Sequence, residues 1–189
     1  GGFVAYPVIP SVPPGPTGEI NLECVDVLIV GGGPVGLAMA IELARREVQT
    51  LLVDAADGSV SFPTCESIDT RTMEWLRQTG TVDAVARSGF PDDHTRDIAF
   101  VTRMSGEELA RFSRPSNQNR TEATAGLSPE GAVWCPKFWF DVALRERAER
   151  LSSALLRYQW RCLGFNDVGD HVTAQLECSD GTTRSVEAR

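Results

Sequence analysis

Residues 26–36 read DVLIVGGGPVG. An apolar run stops abruptly at Gly31, Gly32 and Gly33, and Pro34, Val35 and Gly36 follow. Extended back to residue 24, the run CVDVLIV has the composition of a short buried strand ended by glycine. Residues 34–46, PVGLAMAIELARR, predict a helix. Proline is tolerated in a first turn, and Leu37, Ile41 and Ala44 recur on one face. Residues 49–54, QTLLVD, predict a second strand. Strand, tight turn, helix and strand in about thirty residues make a βαβ unit, whose strands run parallel.

The spacing Gly31-x-Gly33-x-x-Gly36 belongs to dinucleotide-binding turns. Gly31 permits the sharp exit from the strand, Gly33 lets backbone approach a pyrophosphate, and Gly36 lets the helix pack close to the sheet. The helix start supplies free N–H groups and a partial positive charge, which suit phosphate. Asp54 ends the second strand, 18 residues beyond Gly36, where a carboxylate can accept from a ribose hydroxyl. A carboxylate also repels a 2′-phosphate, so FAD or NAD fits this site better than NADP. The plainer alternative is a glycine-rich turn that holds nothing, and spacing alone does not separate FAD from NAD.

Outward from this unit the pattern loosens. Residues 55–69 read as loop and TRTMEWLRQTG, 70–80, as a short helix stopped at Gly80. Residues 97–103 suggest a strand, and the polar stretch 113–131 a mobile loop. KFWFDVALRERAERL, 137–151, carries a helical stripe of Phe140, Leu144, Ala148 and Leu151. LLRYQWRCLGF, HVTAQLEC and TTRSVEAR then read as three strands, the last two joined through SDG as a hairpin. Five of the eleven prolines lie in residues 1–16, so 1–22 form a Pro-rich extended N-terminal segment.

Composition narrows the function classes. A net charge of −8 argues against a nucleic-acid surface, which needs clustered Lys and Arg. No apolar stretch approaches the ~20 residues of a membrane span. Cys24, Cys65, Cys135, Cys162 and Cys178 are odd in number and form no C-x-x-C pair, which suits scattered reduced thiols in a cytoplasmic protein. Asp92, Asp93 and His94 could suggest a metal but read better as solvated loop residues. No metal site and no Ser-His-Asp arrangement is expected.

Several stretches together resemble one family. VDVLIVGGGPVGLAMAIELARREVQTLLVD, FPTCESIDTRTMEWLRQTG, CPKFWFDVALRERA and LRYQWRCLGFNDVGDHVTAQL look like the N-terminal half of the FAD-dependent aromatic hydroxylases, the p-hydroxybenzoate hydroxylase-like monooxygenases. The resemblance runs from about residue 25 to 189. It implies an α/β fold: a Rossmann-like FAD-binding domain with a parallel central sheet, a β-meander and the start of a substrate-binding sheet. Residues 23–189 would be the N-terminal part of that domain, with about 90–133 on the substrate side. FAD would be the cofactor, NAD(P)H the co-substrate, and an aromatic small molecule the substrate.

The resemblance also implies site residues. Gly31, Gly33, Pro34, Val35 and Gly36 would hold the diphosphate, Asp54 and Ala55 the ribose, and Arg161 and Cys162 the adenine side. Thr64 stands where the family often carries a cation near the flavin phosphates or nicotinamide. Cys65 is either a flavin attachment point or a small residue in a tight cofactor loop. Lys137 stands where glutamine is common, and either charges the cofactor site or points to solvent. The family's later Asp-Gly and Gly-Asp motifs are absent, so the flavin end would need the C-terminal half of the enzyme, either continuous or as a separate chain. The catalytic residues are not identified. Two other readings share these residues: an FAD-dependent dehydrogenase or reductase of the same fold, and a non-catalytic nucleotide-binding fragment that needs a second chain.

Overall fold

A computed structural model describes residues 12–60 and 66–189. The described residues divide into two compact units. One is built from residues 12–60 and 138–189, the other from 66–137. Thr64 and Cys65 lie outside the described residues.

The first unit contains the βαβ element. The run expected as one strand is two: β1 is Cys24–Val25 and β2 is Val27–Val30. Asp26 separates them, and its carboxylate accepts from the Gln49 N–H at 2.8 Å. Helix α1, Pro34–Ala44, leads into β3, Thr50–Asp54. β2 and β3 pair in parallel, from Val27 opposite Thr50 to Val30 opposite Val53. β8, Ala154–Tyr158, pairs with the far side of β3, also in parallel, so the sheet order is β2-β3-β8.

The remaining strands form the meander: β9 at Trp160–Asp167, β10 at Val172–Cys178 and β11 at Thr183–Ala188. These pair antiparallel, and β1 adds to β11 in parallel, giving the order β1-β11-β10-β9. LLRYQWRCLGF is therefore not one strand. Gln159, at φ +64, turns the chain out of the parallel sheet and into the meander. Its N–H donates to Ala56 O at 2.9 Å, and its carbonyl accepts from the Ser179 N–H at 2.9 Å. A left-handed non-glycine residue is disfavoured, and these bonds hold the corner in place.

One core serves both sheets. Ile20, Val25, Leu51, Val53, Trp160, Ala174, Leu176 and Val186 are buried together. Since strand side chains alternate, Leu52 faces the other side, where α1 brings fully buried Leu37 and Ile41. Residues 12–22 contain no helix or strand, yet they are tied to this unit. Gly15 N donates to Asp57 O at 2.7 Å and Pro16 O accepts from Tyr158 N at 2.9 Å. Further along, Gly18 O accepts from Trp160 Nε1 at 3.0 Å, and Glu19 O accepts from Arg157 Nε at 2.9 Å. Ile20 then enters the core. The prolines deny this segment a regular ladder, while its carbonyls still find donors.

In the second unit, β4, Ser67–Ile68, pairs with β7, Val133–Trp134. Helix α2, Thr70–Thr79, starts at Asp69, whose side chain accepts from Thr72 N at 2.7 Å. It ends at Gly80, φ +74, a left-handed cap that only glycine adopts easily. A five-residue helix α3, Val82–Ala86, follows, which the sequence pattern did not disclose. β5, Ile98–Val101, and β6, Glu108–Phe112, form an antiparallel hairpin exposed along its whole length. Residues 113–131 are irregular apart from one 3₁₀ turn at Glu122–Thr124, but they are anchored rather than loose. Buried Asn117 donates to Trp134 O at 2.9 Å and accepts from Trp134 N at 2.8 Å. His94, Phe90 and Trp134 pack as a cluster of three rings, with centroids 5.3 Å apart for Phe90–His94 and Phe90–Trp134 and 5.9 Å for His94–Trp134. Helix α4, Lys137–Glu149, leads back into the first unit and buries Phe138, Phe140, Leu144 and Ala148, so Phe138 and Phe140 serve packing.

Candidate functional site: a glycine turn behind an uncapped helix

The three spaced glycines answer to three different constraints. Gly31 has φ +115, a conformation strained for any side chain. Gly36 has no such constraint, but a Cβ there would stand 1.9 Å from Gly31 O and 3.3 Å from the Ile29 side chain. Its missing side chain is what lets the helix close onto the turn. Gly33 has φ −79, accessible to every residue, and among the described residues a Cβ there would meet no atom within 4 Å beyond its own chain neighbours. Neither backbone strain nor crowding among the described residues explains a glycine at that position.

The start of α1 is equally informative. Gly33 is its N-cap, no side chain caps it, and no acidic residue lies in its first turn. Helix α2 shows the ordinary solution, an Asp cap on its first-turn N–H groups. The start of α1 therefore keeps donors and a partial positive charge directed past Gly33, into the space that lacks a side chain. Pro34 occupies the first turn at no cost in hydrogen bonds, and Val35 is 82% exposed beside it.

Asp54 reaches this turn. Its Oδ2 accepts from Gly32 N at 2.6 Å and its Oδ1 from Ala56 N at 2.7 Å. The carboxylate thus braces the turn as well as facing the end of the sheet, and each oxygen keeps a lone pair for another donor. Ala55 is exposed next to it. Arg161 and Cys162 lie at the start of β9, just past the corner that Gln159 N ties to Ala56 O. Arg161 is exposed, and Cys162 is half-buried against the core. Lys137 is the first residue of α4 and the last of the second unit.

Sequence reasoning missed what stands behind the turn. Tyr158, 2% exposed, donates its hydroxyl to Gly32 O at 3.2 Å. Burial pushes that hydroxyl up to about 12, against a smaller opposing pull from Arg145, so it stays a protonated donor near neutral pH. Arg145 is 6% exposed and stands 5.8 Å over the Tyr158 ring. It donates to Pro13 O at 3.0 Å. The available signal was slight: an arginine beside the apolar stripe of α4, and a tyrosine two strands away from the glycines it supports.

The chain matches the family described as "FAD binding domain" over residues 24–189. The chain belongs to that family. It is 33% identical over 169 residues to aklavinone 12-hydroxylase RdmE of Streptomyces purpurascens, covering 86% of this chain and 31% of that protein. It is 40% identical over 162 residues to 6-methylpretetramide 4-monooxygenase of Streptomyces rimosus, covering 85% of this chain and 26% of that protein. Among solved structures, the rebeccamycin biosynthetic enzyme RebC with reduced flavin superposes with a TM-score of 0.80 at 37% identity, over 89% of this chain and 32% of that one. The flavin-dependent monooxygenase PieE in complex with FAD and substrate gives 0.77 at 28% identity, over 87% and 29%. The chain thus spans about 31% of the first of these relatives. The α/β fold with a parallel sheet expected from the sequence is the fold found, and FAD is the cofactor of the family.

The residues present fit an extended dinucleotide. An uncapped helix start, an open position at Gly33 and a carboxylate at the sheet end are the donor and acceptor set that a diphosphate and a ribose require. Asp54→Ala is expected to weaken FAD binding by about 1.5–3 kcal/mol, the range for a hydrogen bond involving a charged group. Isothermal titration of the apoprotein measures this. A change below twofold would mean that the carboxylate serves the turn alone.

Proposed function

We propose that the protein containing this chain is an FAD-dependent monooxygenase that hydroxylates an aromatic substrate with NAD(P)H and O₂. This chain supplies the site for the ADP half of FAD. The observation that carries the reading is the open Gly33 position in front of an uncapped α1, in a chain whose relatives are named as hydroxylases and monooxygenases. Phenol and 4-methyl-5-nitrocatechol stand in the names of two further relatives, which supports an aromatic substrate.

In this reading the backbone N–H groups of Gly33, Val35 and Gly36 bind the diphosphate, and Asp54 accepts from the ribose. Ala55, Arg161 and Cys162 border the adenosine. Thr64, Cys65 and Lys137 would serve the cofactor as the family resemblance implies, and the C-terminal half of the enzyme completes the flavin end, either continuous or as a separate chain. Bound FAD supplies the redox chemistry and oxygen activation; the residues of this chain hold and orient it. Residues 1–22 act as a lead-in and 23–189 as the N-terminal part of the FAD-binding domain, with about 90–133 on its substrate side. No described helix is long and apolar enough to cross a membrane. A cytoplasmic setting belongs to the proposal, supported by free thiols at Cys24, Cys162 and Cys178.

The test uses full-length, FAD-loaded protein with candidate aromatic substrates. Substrate-dependent NAD(P)H oxidation should be matched by oxygen uptake and by one ¹⁸O atom from ¹⁸O₂ in the product. Cofactor oxidation without oxygen insertion for any aromatic substrate would favour the dehydrogenase or reductase reading.

A further inference from the structure

Three glycines from three separate segments meet the Tyr158 ring. A Cβ at Gly15, Gly32 or Gly58 would stand 2.2, 2.7 or 2.8 Å from ring carbons, closer than real Cβ contacts come. Gly58 also has a positive φ, but Gly15 and Gly32 do not, so at those two positions it is the ring that forbids a side chain. Gly32 is gripped at both ends. Its carbonyl accepts from the Tyr158 hydroxyl at 3.2 Å, and its N–H donates to Asp54 at 2.6 Å. It sits between Gly31, where the strand turns, and Gly33, where the donors of α1 begin. On the opposite side of the ring lies the N-terminal segment, tied by Tyr158 N to Pro16 O at 2.9 Å and by Arg145 to Pro13 O at 3.0 Å. This segment lies outside the family match, which begins at residue 24.

We propose that Tyr158, backed by residues 13–16, is a positioning residue for the diphosphate turn, holding Gly32 and through it the N–H groups at the start of α1. The physical reason is geometric. Hydrogen bonds weaken steeply when the donor angle closes or the distance lengthens, so a turn free to rock loses phosphate affinity without losing its fold. This rests on the FAD-binding reading above. It adds that the diphosphate, and not the adenosine, is the part of the ligand that Tyr158 serves.

The experiment titrates the full-length, FAD-stripped protein with FAD, ADP and adenosine separately. Tyr158→Phe keeps the ring and removes only the hydroxyl, while Gly15→Ala pushes the ring toward Gly32. Tyr158→Phe should raise Kd for FAD and ADP about three- to tenfold, the loss expected for one hydrogen bond. Kd for adenosine should stay within about twofold, and the circular-dichroism spectrum should be unchanged. Gly15→Ala, where it folds, should give the same pattern. If Tyr158→Phe binds ADP as tightly as the parent, the positioning role is overturned and the FAD reading stands. If adenosine weakens as much as ADP, Tyr158 supports the fold generally, and the proposal is equally overturned. If the parent protein itself binds neither FAD nor ADP, the FAD reading fails first.

Discussion

Gly33→Val should empty the site without unfolding the protein. The substituted side chain enters space that no described residue beyond its chain neighbours contests within 4 Å of its Cβ, and the backbone there is in an ordinary extended conformation. The cost to the apoprotein is about 1 kcal/mol or less, that of a helix start whose cap favours glycine over valine. The cost to binding is larger, because a branched side chain stands where a phosphate must approach the N–H groups of α1. Losing two charge-assisted hydrogen bonds removes ~3 kcal/mol or more, about a hundredfold in Kd. Purified Gly33→Val protein should therefore lack the flavin band near ~450 nm and melt close to the parent apoprotein. Gly36→Ala is the contrasting control. Its Cβ would lie 1.9 Å from Gly31 O, so it should lower stability by about 1–3 kcal/mol before any question of ligand arises. Full flavin absorbance in Gly33→Val would remove the diphosphate from this turn.

The second large effect concerns residues 1–189 expressed alone, which should aggregate and bind FAD poorly. Among the described residues β2 is an edge of the parallel sheet, with its outer row of backbone groups unpaired in that sheet. Val30 at its end is 61% exposed, and Val35 and Met39 on α1 are 82% and 50% exposed. In the other unit the β5–β6 hairpin has only two strands, too few for independent stability. It leaves Phe100, Leu109 and Phe112 at least half exposed, at 50%, 68% and 61%. Apolar surface of this kind normally meets a partner. Supplying the C-terminal half as a second polypeptide should restore a soluble, yellow complex, readable by light scattering and absorbance. A monodisperse 189-residue monomer that turns over NAD(P)H with an aromatic substrate would place the whole site within these residues.

The sequence alone determined the βαβ unit and the place of its glycine turn. Those features are local: an apolar strand, a glycine spacing and a helical stripe are written in neighbouring residues, and their geometry follows from φ and from side-chain periodicity. Gly31, Gly36 and Asp54 stand in the structure where that reasoning places them. What the tertiary structure decided is everything that depends on contacts across the chain. LLRYQWRCLGF looks continuous, but Gln159 breaks it, because strand β8 belongs to the parallel sheet and β9 to the meander. The Pro-rich start reads as a lead-in, yet its carbonyls are bonded to Tyr158, Trp160, Arg157 and Arg145. The support of Gly32 by Tyr158 joins residues 126 positions apart. No propensity or spacing encodes such a pair, because its energy exists only once two sheets and the N-terminal segment have packed around one ring.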